Sequence, residues 1–270
     1  MIKINAFKLT VIAGAAFVSL QAAAEEKLWT LSTGLNYRDT SFNQPNNKFD
    51  NESWITNLGL MRKLDSRTYL GGNIAYSNDT LKFKSFSGET EIDTPSVSAY
   101  IMRELAWGLY ADGSIGYGKS QIDTNIANLN YNADSRFRTA TVGLTQYIPI
   151  SQNLMSNISA HYSHISSDRD RFITSLGNAV PSDGNTLSYL SLAGQLTWQL
   201  NKWSPYMRLN WNKANREFMT GTGDKDFFGY GFGARYAIST TTNIGLNLGS
   251  VFDKRNTNET NAGISLNYQF

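Results

Sequence analysis

The sequence predicts an all-β protein: a single transmembrane antiparallel up-and-down β-barrel of about 12 strands, following a cleaved signal peptide. Three observations lead there. Apolar and polar residues alternate with period 2 through twelve successive segments, as they do in strands that face two media. Short and long connections alternate between those segments, matching the periplasmic turns and outer loops of bacterial outer-membrane barrels. An export signal opens the chain, and an amphipathic strand ending on Phe270 closes it.

The export signal comes first. Lys3 and Lys8 form a positive n-region, residues 9–20 (LTVIAGAAFVSL) an apolar core, and Ala22, Ala23 and Ala24 a small-residue cleavage site before Glu25. The apolar run falls short of the ~20 residues a spanning helix needs. Residues 1–24 are therefore expected to be removed, leaving 25–270 as one barrel domain outside the cytoplasm.

The strands follow in order. Trp29, Leu31, Leu35 and Tyr37 mark the first, Trp54, Leu58 and Leu60 the second, Leu70, Ile74 and Tyr76 the third, and Val97, Ala99 and Ile101 the fourth. Leu109, Ala111, Ile115 and Tyr117 mark the fifth, Ala140, Val142 and Leu144 the sixth, and Ile158, Ala160 and Tyr162 the seventh. Leu190, Leu192, Leu196 and Trp198 give the eighth, and Met207, Leu209 and Trp211 the ninth. Phe228, Tyr230, Phe232 and Tyr236 give the tenth, Ile244, Leu246 and Leu248 the eleventh, and Ala262, Ile264, Leu266, Tyr268 and Phe270 the last. Each is about the ~9–11 residues a tilted membrane strand requires. Short connections fall at 63–67, 103–107, 149–153, 199–203 and 239–242. Long ones are expected as outer loops at 39–52, 78–93, 119–136, 167–185 and 213–226, with 253–258 a shorter sixth.

Composition closes off other classes. The chain has 24 Lys+Arg against 22 Asp+Glu, and both excess charges are Lys3 and Lys8, so the mature chain is neutral and no nucleic-acid partner is expected. There is no cysteine, and the only histidines are His161 and His164, so no metal site or cofactor is expected. The mean hydropathy of −0.35 excludes a helical membrane bundle but not a barrel, whose strands are half polar. A soluble sandwich also alternates, but long loops gathered on one edge and an export signal fit it poorly.

Alternation also assigns an inner face. Asn210 and Asn247 line it with many further Asn, Ser and Thr, and its charges are Asp112, Arg208 and Arg235, with His161 beside them and Lys63 near a turn. Rings of one sign, the mark of an ion filter, are missing. This describes a neutral-polar lumen, either open and weakly favouring anions or plugged, with Asp112 paired to an arginine. Gly229, Gly231, Gly233, Gly245, Gly249 and Gly263 leave room for a groove or ease barrel curvature.

The stretches 109–119 (LYADGSIGYGK), 138–147 (RTATVGLTQY), 204–211 (SPYMRLNW) and 227–236 (FFGYGFGARY) resemble the translocator β-domain of autotransporters, over about residues 27–270. The last strand, with Ile264, Leu266, Tyr268 and Phe270 on one face, looks like the C-terminal signal read by the barrel-assembly machinery of Gram-negative bacteria. The resemblance implies residence in the outer membrane. It also implies contact with outer-membrane lipid and lipopolysaccharide, and with assembly and periplasmic chaperone machinery. No large passenger or linker helix is expected before strand one, so the expected function is a stand-alone, non-enzymatic pore or channel. A passenger-free translocator or adhesin acting through its loops is the alternative. A third reading is an outer-membrane hydrolase: His164 and Ser166 share a face, Ser188 is expected beside them, and Asp168 or Asn185 could orient the histidine, loosely resembling the Ser-His-Asn site of outer-membrane phospholipase A. The Asn-Gly-Arg-Ser stretch of that family is absent.

Overall fold

Twelve strands form one closed antiparallel ring in the computed structural model, which describes residues 29–44, 47–85, 87–127, 129–218, 225–252, 254 and 257–270. The expected signal peptide lies outside the described residues. The chain runs through β1 (Trp29–Gln44), β2 (Asn47–Lys63), β3 (Thr68–Phe83), β4 (Gly88–Ala106), β5 (Leu109–Ile126), β6 (Leu129–Ser151) and β7 (Leu154–Arg169). A two-stranded hairpin of β8 (Phe172–Ile173) and β9 (Ala179–Val180) stands outside the ring. The wall resumes with β10 (Asp183–Trp198), β11 (Trp203–Ala214), β12 (Asp226–Ala237), β13 (Thr242–Phe252) and β14 (Thr257–Gln269). Each barrel strand pairs with the next barrel strand along the chain, β7 with β10 across the hairpin, and β14 pairs with β1, so the ring is closed. The seam is finished by backbone bonds in both directions between Trp29 and Phe270, each 3.0 Å.

The short turns and the seam ends share one end of the ring, the periplasmic end of this architecture. Local chemistry fixes these turns. Asp65 Oδ1 accepts the backbone N–H groups of Arg67 and Thr68 at 2.7 and 2.8 Å. Trp107 and Gly108 both have positive φ, 54° and 75°, as a two-residue type I′ hairpin requires.

Through the middle of the wall the apolar residues point outward. Leu31, Leu35, Leu58, Ile74, Ile115, Val142, Ile158, Leu209, Leu246 and Ile264 are exposed there, where lipid replaces water. Tyrosine and tryptophan (Trp54, Tyr76, Tyr117, Tyr162, Trp198, Tyr268) rim this band.

Above the band the parity inverts. Phe42, Phe49, Leu81, Ile92, Ile122 and Ala133 point inward and pack as one buried cluster with Phe83, Tyr131 and Phe172, while the polar residues between them point outward. Here water bathes the outer face, so burial favours the inner one. The segments 39–52, 78–93 and 119–136, expected as loops, are therefore mostly strand: pairing continues out to Gln44 with Asn47, Lys82 with Glu89 and Ile126 with Leu129. The wall is consequently uneven. β6 has 23 residues and β13 has 11; at about 3.3 Å per residue β6 is far longer than the ~30 Å hydrocarbon core requires.

β6 also outruns its partner β7, whose ladder with it stops at Ser135 and Arg169. The freed edge is covered by the β8–β9 hairpin. Asp170 N–H donates to Asp134 O at 2.9 Å, Ser175 N–H to Asn130 O at 2.8 Å, and Asn130 N–H back to Ser175 Oγ at 2.9 Å. Phe172 stacks on Tyr131 at 4.4 Å between centroids, so the hairpin leans over the inner apolar cluster.

Candidate functional site: the lumen

The lumen has three levels. At the outer end the inward apolar cluster is joined by a second, of Ile165, Tyr189 and Ala214 with Leu187 and Phe218. At the periplasmic end Met61, Tyr69 and Tyr110 pack with Tyr100, Met102 and Tyr147. Between them lies a polar belt that includes Asn36, Asn73, Asp112, His161, Arg208, Asn210 and Asn247. These side chains face inward yet remain partly accessible to solvent.

Register explains the contact at the centre of this belt. Asp112 on β5 pairs across the ladder with Gly143 on β6, which pairs with His161 on β7. A Cβ at Gly143 would overlap the imidazole. Because there is none, the ring lies across β6 and its Nε2 reaches Asp112 Oδ1 at 3.2 Å. The side chain that meets Asp112 is thus a histidine. Arg235 sits with its guanidinium 5.8 Å from the centre of the Tyr206 ring, a cation–π contact. Arg208 lies on the same strand as Tyr206, one inward position further out.

Large residues on one strand alternate with glycines on the next around β11 to β14. Asn210 covers Gly229, Tyr206 covers Gly233, Ser265 covers Gly245, Asn261 covers Gly249, and Asn36 and Asn247 both reach over Gly263. Five of the six glycines on these strands therefore form sockets for neighbouring side chains and not an open groove, while Gly231 meets only the backbone of β13. Elsewhere Tyr100 lies over Gly71 and Phe137 over Gly118 in the same manner. Sequence reasoning missed the inward charges above the membrane: Asp79 falls in a segment expected as a loop, and Arg38 stands one residue before another. Arg38 lies 3.7 Å from the buried Asp79 carboxylate, and its guanidinium donates to Ser53 Oγ at 3.4 Å. The phase of Phe42, Leu81 and Ile122 against Leu35, Tyr76 and Tyr117 could have revealed that those segments are strands.

The residues weighed as catalytic lie on the opposite surface. His164 and Ser188 point outward from paired positions on β7 and β10, with His164 Nδ1 and Ser188 Oγ hydrogen-bonded at 2.8 Å. Ser166 is two residues further out on β7. Asp168 lies beyond it, 3.9 Å from Arg138, and Asn185 occupies the inward phase of β10. Neither orients the histidine, and among the described residues no partner meets its other ring nitrogen. A nucleophile and base are adjacent, but the third group that fixes the base is not there. Among the described residues no cluster of three or more His, Cys, Asp or Glu could hold a metal ion. Ile264, Leu266 and Tyr268 face outward on β14, and the Phe270 ring follows, stacked on Tyr268 at 5.6 Å.

Residues 28–249 match the autotransporter β-domain family. Among solved structures, the chain is similar to the translocator domain of the autotransporter NalP from Neisseria meningitidis. The TM-score is 0.78 at 13% identity, covering 91% of this chain and 90% of that one. It is similar also to the β-domain of the Bordetella autotransporter BrkA, with a TM-score of 0.77 at 16% identity over 90% and 100% of the two chains. An outer membrane channel from Pseudomonas putida F1 gives a TM-score of 0.60 at 12% identity over 92% and 97%. No curated protein matches the sequence.

Proposed function

Given that the chain belongs to the autotransporter β-domain family, whose barrels are outer-membrane proteins of Gram-negative bacteria, we propose that it is a non-enzymatic, water-filled pore for small polar solutes. One observation carries this reading: the mid-lumen belt of Asp112, His161, Arg208, Asn210 and Asn247 is polar and only partly buried, inside a wall whose other face is apolar. A ring of polar side chains that water can reach at membrane depth is what a conduction path requires. The channel and translocator barrels it is similar to support the same reading. Removal of residues 1–24 and insertion through the barrel-assembly and chaperone machinery by way of Ile264, Leu266, Tyr268 and Phe270 complete it. A hydrolase has only the His164–Ser188 pair behind it.

Planar-bilayer recording of the refolded chain tests the proposal. Two arginines against one aspartate give a weak anion preference, since charges in a wet pore are screened beyond about 8–10 Å at physiological salt. Arg208→Gln with Arg235→Gln shifts the low-salt reversal potential toward cations while the barrel stays folded. Absence of conductance in the wild type overturns the pore. It would favour the second reading, a surface barrel acting through its outer projection, for which the separate apolar cluster above the membrane speaks.

A further inference from the structure

The outward face of β5, β6 and β7 changes character in layers as it leaves the apolar band. The last apolar outward residues are Tyr117, Ala140 and Tyr162. The next outward position on the three strands holds Lys119, Arg138 and His164; the second holds Gln121, Arg136 and Ser166; the third holds Asp123, Asp134 and Asp168. Cations thus touch the membrane surface and carboxylates stand above them. The neighbouring flank does the reverse. There the first polar outward positions above Tyr37 and Trp54 are Asp39 and Glu52, and Asp93 follows Pro95 on β4.

We propose that the outer wall of β5–β7 is a docking surface for a phosphorylated, acylated sugar lipid of the outer leaflet. Its acyl chains lie along the band below Tyr117 and Tyr162. Its phosphates meet Lys119, Arg136 and Arg138, and the sugar hydroxyls meet Ser166 and the His164–Ser188 pair. The cations are accessible, the Arg138 side chain being 68% exposed. Each already has a carboxylate partner further out: Lys119 to Asp134 at 2.7 Å, Arg136 to Asp170 at 3.0 Å, Arg138 to Asp168 at 3.9 Å. Such exposed pairs hold little energy. A guanidinium has five donors, more than one carboxylate can use, so each arginine can bind a phosphate without releasing its partner. The carboxylate layer bounds the site from above, because a phosphate displaced outward meets like charge. On the flank of β1, β2 and β4 the order is reversed, with Lys82 and Lys84 bridged to Glu52 and Asp50. A phosphate at the membrane surface there meets Asp39, Glu52 and Asp93 first, which confines the ligand to one side of the barrel. The proposal rests on the lipid-facing orientation of the wall and is independent of what the lumen conducts.

Native mass spectrometry of the refolded mature chain in detergent tests it, with diphosphorylated lipid A and enzymatically dephosphorylated lipid A as probes. The wild type is expected to retain the diphosphorylated form and bind the dephosphorylated form at least about tenfold more weakly. Lys119→Gln with Arg136→Gln and Arg138→Gln removes that difference, whereas Lys82→Gln with Lys84→Gln leaves it intact. Equal retention of the two lipids by the wild type overturns the proposal, and that arm stands even if the triple variant fails to insert. Undiminished preference in a triple variant that folds overturns it as well.

Discussion

Gly143 shows how a residue without a side chain can make a contact. His161 reaches Asp112 only because β6 leaves its ring a place to lie. Parity alone put Asp112 and His161 on one face of the sequence's strands. That they meet across an intervening strand depends on register, which alternation does not fix. The glycine sockets divide into two kinds. At Gly143 the obstacle is a side chain that can swing away, so Gly143→Ala should release His161 from Asp112 with modest loss of stability. At Gly233 the obstacle includes the Leu246 carbonyl of the adjacent strand. Gly233→Ala is expected to cost about 1–3 kcal/mol, the range for overpacking, while Gly194→Ala, where nothing lies within 4 Å of a new Cβ, should stay within about 0.5 kcal/mol. Urea unfolding of the refolded variants measures all three.

Among the elements, the turns and the tall hairpins respond to different physics. The backbone N–H of Arg67, with that of Thr68, holds the Asp65 carboxyl below its usual range, although the side chain is exposed. Its folded value is depressed, so the turn's contribution is fully present above the ordinary carboxylate pKa and is lost as pH falls through the lower folded one. Asp65→Asn should therefore lower the unfolding midpoint at pH 7, and the gap to wild type should close at acid pH. A gap that is the same at both ends would contradict the cap. The tall hairpins were legible as periodic sequence but were read as loops, because the apolar phase reverses between Tyr76 and Leu81, and between Tyr117 and Ile122. A reversal of phase without loss of period marks a strand leaving lipid for water. Twelve strands, their order and their short turns were all legible, since the membrane imposes one outward pattern on every one of them. The β8–β9 hairpin was not, because two-residue strands have no period. Phe172→Ala removes its stack on Tyr131 and should expose the 170–182 segment to protease, with the barrel itself unaffected; unchanged cleavage would show the hairpin is held by its backbone bonds alone.

At the scale of the molecule, closure dominates. Every barrel strand is hydrogen-bonded to a neighbour on both sides, and a closed ring of this kind is expected to resist detergent until heated. The refolded protein is expected to migrate faster on a gel when unheated than when boiled. Deleting Phe270 takes away one half of the reciprocal backbone pair with Trp29 and the ring stacked on Tyr268. Insertion by the assembly machinery should fall sharply, and pulse-chase in whole cells would show it; wild-type insertion of the truncated chain would remove the last strand from that role.

The seam carries one more consequence. Trp29 and Phe270 are bonded neighbours, and every other pairing in the ring is between barrel strands that follow one another along the chain. Once the ring is folded, no pairing in it depends on which strand comes first. Circular permutation, with Phe270 linked to Trp29 by a few residues and the chain reopened at Gly177, would ask for the same pairings in the same order. It would also move the opening of the chain from the end of the ring that holds Trp29 and Phe270 to the end that holds the tall hairpins, turning the barrel into a scaffold that displays its own ends.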